Sequence, residues 1–138
     1  MKKRKRIFIS LLLVAAMMIC ITGEVFAEEE TGFGLSQSKD TVSPGEELVI
    51  TFNGQSLKDL YAYEAVISYD PNIVELINAE SKLDGFFITP KNENGELTIA
   101  FTKIGKTAGE KGNVALCTVA FKGKAQGNAN VKLVSVKA

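Results

Sequence analysis

Along most of this chain apolar and polar residues take turns, in short runs separated by turn-forming residues. In Glu96 to Thr102, Leu97, Ile99 and Phe101 interleave with Glu96, Thr98, Ala100 and Thr102. In Tyr61 to Tyr69, the set Tyr61, Tyr63, Ala65, Ile67 and Tyr69 opposes Ala62, Glu64, Val66 and Ser68. Successive side chains of a strand point to opposite faces, so a period of two marks a strand with one face in a core. The bulkier set is expected to face inward. This reading gives strands at residues 33–39, 47–53, 61–69, 73–80, 86–89, 96–103, 114–123 and 129–137. The last is ambiguous, because Val131, Leu133 and Ser135 oppose Lys132, Val134 and Val136 and both sets are partly apolar. No window sustains a 3.6-residue period. Only Pro71 to Leu76 suits a single helical turn, with Asp70 as its N-cap.

The breaks between runs carry their own chemistry. In Ser43-Pro44-Gly45-Glu46 proline presets one φ and glycine accepts a positive one, which predicts a turn. Asn94-Gly95, between two apolar runs, predicts a hairpin. Gly105 to Gly112 holds three glycines and reads as a flexible loop. Short strands at regular spacing predict an all-β fold, a two-sheet β-sandwich with eight strands visible.

The amino terminus follows a different rule. Lys2 to Arg6 are all basic, Ile7 to Ile21 is apolar except for Ser10, and Val25-Phe26-Ala27 ends with small residues at the two positions that signal peptidase inspects. The expectation is a secretory signal peptide over residues 1–27, cleaved near Ala27, with export and no membrane insertion afterwards. The apolar run falls short of the ~20 residues of a spanning helix. Cys20 would leave with the leader. Residues 28–32, headed by Glu28-Glu29-Glu30, read as a disordered acidic tail, and residues 33–138 as one domain.

From Glu28 on there are 11 Lys, no Arg and 15 acidic residues, a net charge of 11 − 15 = −4. That balance argues against a nucleic-acid partner. The whole chain has no His, which removes Ser-His-Asp and Cys-His nucleophile pairs and imidazole metal ligands. No phosphate-binding glycine motif is present. Carboxylate chemistry is what remains, and Glu64 with Glu96 is the candidate pair. A flat sheet face offers no cleft to raise one pKa, so the reading is a protein with no catalytic residues, no cofactor and no metal site. Asp70, Asn72 and Glu75 have the oxygens for Ca²⁺, but a capped turn explains them more simply. Tyr61, Tyr63 and Tyr69 have the rings for stacking on sugars, but share the expected core face. Lys103, Lys106 and Lys111 flank the glycine-rich loop and suit either an acidic polymer or plain solubility. Cys117, on a face with Ala115, Val119 and Phe121, reads as a small core residue.

Four ordered pieces then resemble a known family. They are Val42-Ser43-Pro44-Gly45-Glu46 before an apolar strand, Tyr63 to Leu76 with its Ser68-Tyr69-Asp70-Pro71-Asn72 centre, Gly95 to Phe101, and Leu116 to Lys122. Their order and spacing resemble a cohesin domain, from about Leu35 to the C-terminus. Cohesins are receptor modules of cellulosome scaffolds that bind dockerin modules. The resemblance implies a nine-stranded jelly roll, so a ninth strand is expected to be missing after Ala138. It also implies that dockerin lies on a flat sheet of the eighth, third, sixth and fifth strands. The partner-binding residues would then be Glu64, Val66 and Ser68, Thr98, Ala100 and Thr102, and Lys132 and Val134. An Asn and an Asp two apart on the third strand of many cohesins match Ala62 and Glu64 here, so the acid is kept by type and the amide is not. The expected function is a secreted, non-catalytic module that attaches to a dockerin-bearing protein in polysaccharide-degrading or cell-surface assemblies. The alternatives are a carbohydrate-binding module that takes a polysaccharide, and a ligand-free structural domain of a surface protein.

Overall fold

The structure, a computed structural model, describes residues 29–138. The expected leader and its cleavage point lie outside the described residues. Eight strands follow in order: β1 (Gly32–Gln37), β2 (Glu47–Leu60), β3 (Ala62–Ser68), β4 (Val74–Glu80), β5 (Phe86–Glu93), β6 (Glu96–Thr102), β7 (Glu110–Gly123) and β8 (Lys132–Lys137). They form two four-stranded sheets, β1-β2-β7-β4 and β5-β6-β3-β8, in which every pairing is antiparallel. The inner faces meet in one core. Ile50, Phe52, Val119 and Phe121 come from the first sheet, and Ala65, Ile67, Leu97 and Ile99 from the second, all with no exposed surface. That core draws on side chains from Phe33 to Val136. The two-sheet sandwich and the eight strands expected from the alternation are both present.

The strands differ from the expected ones where a bulge breaks the period. β2 runs to Leu60 instead of ending at 53, and β7 starts at Glu110 instead of 114. Register shifts between Gly54 and Leu57 and between Leu57 and Leu60 insert extra residues, so the buried positions Gly54, Leu57 and Leu60 fall three apart. An alternation of two cannot report such a segment. β5 continues through Pro90 to Glu93, which an edge strand tolerates. Asn94 and Gly95 then turn the chain with φ of 49° and 77°, the two left-handed positions of the expected hairpin. In the Pro71 turn, the Asp70 carbonyl accepts from the N–H groups of Ile73 and Val74, and its Oδ1 accepts from Asn72 N–H. Asp70 does cap the turn, but β4 takes over at Val74, so the turn ends before Leu76.

Three expectations need correction. Tyr61 is not in the core: it is 37% exposed, and its hydroxyl donates to the Gly105 carbonyl at 2.6 Å. In β8 a bulge lies opposite Val66/Ile67, so Ser135 pairs with outward Val66 and Val136 with inward Ala65. That reverses the faces expected for Ser135 and Val136. The glycine-rich stretch is also no free loop. Lys103 N–H donates to the Tyr61 carbonyl, Gly109 N–H donates to Asp59 Oδ1, and the ammonium of Lys103, a residue only 7% exposed, sits 2.8 Å from Glu110 Oε1. A side chain on Gly109 would collide with Asp59. Cys117 is buried as expected, and burial pushes its thiol up to about 11.

Candidate partner-docking face

The outer face of β5-β6-β3-β8 is built by strand register. Its cross-strand rows run Phe86–Thr102–Ala62, then Ile88–Ala100–Glu64–Lys137, then Lys91–Thr98–Val66–Ser135, then Glu93–Glu96–Ser68–Lys132. Seven of the residues expected at a partner face, Glu64, Val66, Ser68, Thr98, Ala100, Thr102 and Lys132, fall in these rows. Val134, at the β8 bulge, is 55% exposed. Val66 and Ala100 are half-buried between their neighbours, and Glu64 and Lys132 are exposed.

The rows change character from one end to the other. Phe86 is 56% and Ile88 43% exposed, and they head the two rows that also hold Ala62 and Ala100. Tyr61 precedes Ala62, and exposed Ile104 follows two residues after Thr102. The opposite end is charged. There Lys91 and Glu93 form an exposed ion pair at 3.6 Å, and Lys91, Glu93, Asn94, Glu96 and Thr98 line a shallow hollow. Among the described residues, five of the six exposed large apolar side chains (Tyr61, Phe86, Ile88, Ile104 and Val134) lie on this sheet or at its end; the sixth is Ile77. Exposed apolar surface concentrated on one face and bordered by charge is the anatomy of an interaction site.

Phe86 and Ile88 were missed by the sequence reading of the face. Their signal was present: in Phe86-Phe87-Ile88 the apolar residues do not alternate, so a strand there must turn some of them outward. Phe87 takes the inner side.

Other candidates do not assemble. Glu96 pairs with Ser68 and Glu64 with Ala100, which sets the two carboxylates four residues apart along the sheet. Tyr63 and Tyr69 are buried, the first with its hydroxyl pushed upward in pKa by burial and by Cys117, the second donating to Asn92 Oδ1. They offer no ring to a sugar at the surface. Asp70, Asn72 and Glu75 gain no further acidic neighbour, and among the described residues no group of three or more His, Cys, Asp or Glu is placed to hold a metal ion. Lys103 is spent on Glu110, which leaves Lys106 and Lys111 as the exposed lysines of that loop.

The Cohesin domain family model matches residues 35–138. Solved structures share the fold. A type II cohesin module from the adaptor scaffoldin of Acetivibrio cellulolyticus superposes with a TM-score of 0.62 at 16% identity, over 78% of this chain and 72% of that one. A cohesin module from a family 33 glycoside hydrolase of Clostridium perfringens gives 0.61 at 19% identity, over 78% and 82%. The sixth cohesin of scaffoldin B from Acetivibrio cellulolyticus, solved in complex with a dockerin, gives 0.59 at 19% identity, over 75% and 82%. No curated protein sequence matches this chain. With the family model matched over residues 35–138, most of its length, this chain belongs to the cohesin family.

Proposed function

We propose that the protein is an exported, non-catalytic receptor module whose β5-β6-β3-β8 outer face docks a dockerin-bearing partner. The observation that carries this reading is the one-sided exposure of Phe86, Ile88 and Val134 around Val66 and Ala100. The cohesin in complex with a dockerin supports the choice of partner. The leader-like residues 1–27 support export. The apolar end supplies the area that a partner covers, and the charged end selects its orientation.

Calorimetric titration of residues 28–138 with a panel of dockerins tests the reading. One dockerin should bind saturably. Covering a Phe or Ile side chain contributes about 1.5–3 kcal/mol, so Ile88→Asp or Val66→Asp should weaken binding by at least about tenfold. Ile77→Asp, on the other sheet, should leave it unchanged. Silence with every dockerin, or equal loss at Ile77, overturns the proposal.

A further inference from the structure

Where β6 ends, two neighbouring residues reverse the usual order of inside and outside. Among the described residues Lys103, 7% exposed, is the one buried charged residue, and Ile104, 71% exposed, is the most exposed of the large apolar ones. Each placement is costly. A buried ammonium must be matched by a counter-charge, here Glu110, and even then adds little stability. An isoleucine in water forgoes what burial would contribute. The core gains nothing from this order.

Backbone pairing fixes it. Lys103 N–H donates to the Tyr61 carbonyl at 2.9 Å, which carries the β3–β6 ladder one pair beyond Ala62 and Thr102. Alternation along that extension sends Thr102 outward, Lys103 inward and Ile104 outward. Ile104 is then held on both flanks. On one side stands the Lys103–Glu110 ion pair at 2.8 Å, and on the other the Gly105 carbonyl accepts from the Tyr61 hydroxyl at 2.6 Å. An exposed apolar side chain on a backbone tied at both sides has little freedom left to lose when a partner covers it.

We infer that Ile104 is an anchor of the partner interface, seated beyond the strands themselves, and that Tyr61 is the positioning residue that holds it there. The inference rests on the dockerin reading above and extends that surface past β6 onto the connection to β7. Phe86, 56% exposed, pairs with Thr102, two residues before Ile104. Continuity with this apolar end assigns Ile104 to the same occupant, apolar side chains of the dockerin-bearing partner.

Titration of residues 28–138 with the dockerin panel tests the anchor. Ile104→Asp should weaken the dockerin that binds by at least about tenfold, and Ile104→Leu should keep its affinity. Neither should move the urea midpoint, because the side chain stands in water. Tyr61→Phe removes only the hydroxyl and should weaken binding about three- to tenfold, by letting Ile104 move. In an Ile104→Ala background the same Tyr61→Phe change should cost less than about twofold, which a merely structural tyrosine would not show. Binding that survives Ile104→Asp but falls with Ile88→Asp overturns the anchor and leaves the sheet face in place. A full Tyr61→Phe loss in the Ile104→Ala background overturns the positioning role. Silence with every dockerin overturns the dockerin reading and the anchor with it. Self-association in sedimentation velocity that Ile104→Asp abolishes, with dockerin binding unchanged, gives Ile104 to a second copy and likewise overturns the inference.

Discussion

The two sheets share one core and have four strands each, yet their outer faces differ. On β1-β2-β7-β4 the outward Val49, Thr51, Thr118 and Ala120 are half-buried and small, and Glu47, Lys122 and Glu75 alternate in sign across one row. Its exposed large apolar residue, Ile77, stands at a bulge. On β5-β6-β3-β8 two successive rows are headed by exposed Phe86 and Ile88. Folding requires the inward alternation of both sheets, and it is met in both. It does not require Phe86 and Ile88 to meet water, where each forgoes the stabilisation that burial supplies. The difference therefore lies outside what the core demands.

The sharpest break of this comparison sets Phe101 against Phe86. Phe101 faces inward, 2% exposed, stacked on Tyr63 with ring centroids 5.6 Å apart. Phe101→Ala should cost about 3–5 kcal/mol in urea unfolding. Phe86→Ala should change stability by no more than about 0.5 kcal/mol. If the two losses are alike, the outer apolar rows belong to the fold and the contrast between the faces disappears.

A smaller effect is expected where the β5-β6-β3-β8 sheet joins the other. Lys103 follows β6 and Glu110 begins β7, and their ion pair ties the connection down beside the apolar end of the face. Glu110→Gln leaves the buried ammonium without its counter-charge. The cost should be about 2–3 kcal/mol, less than for a fully buried pair, because 26% of the Glu110 side chain meets water. Lys103→Met combined with Glu110→Gln should recover most of that loss in melting temperature, since an apolar side chain suits the site. No recovery would mean that the pair's geometry, and not charge burial, holds the connection.

The sandwich was legible because alternation, proline and glycine act locally. Leu97, Ile99 and Phe101 could face inward only as a strand, and Asn94-Gly95 could hardly do other than turn. What stayed hidden depends on partners distant in sequence. The β8 bulge exists because β3 lies beside it, and it alone decides that Ser135 faces out and Val136 in. Tyr61 leaves the core for the Gly105 carbonyl, 44 residues away. Phe86 and Ile88 were readable as a strand but not as the exposed half of a face, since their sidedness is set by Thr102 and Ala100. The eight expected face residues came from family resemblance joined to alternation, and register then placed them together.

The smallest effect belongs to the other sheet's β1–β2 connection, where stabilising charges stay in water. Lys39 donates to Glu46 Oε2, and Ser43 N–H donates to Oε1 at 3.0 Å. These bonds, that of Lys39 foremost, hold the Glu46 carboxyl below its ordinary value of 4.5. The folded state therefore takes up the proton less readily than the unfolded one. The stabilisation is complete above about pH 4.5 and fades as pH falls through the lower folded value. Partial exposure of both side chains to water and screening by salt keep it small. Melting temperatures of the parent and Glu46→Gln should differ slightly at neutral pH and low salt, and converge in acid. A difference that persists in acid would show that the turn depends on the side chain's shape and not its charge, and it would remove the contrast between a connection that draws stability from charge and a sheet face that exposes apolar groups.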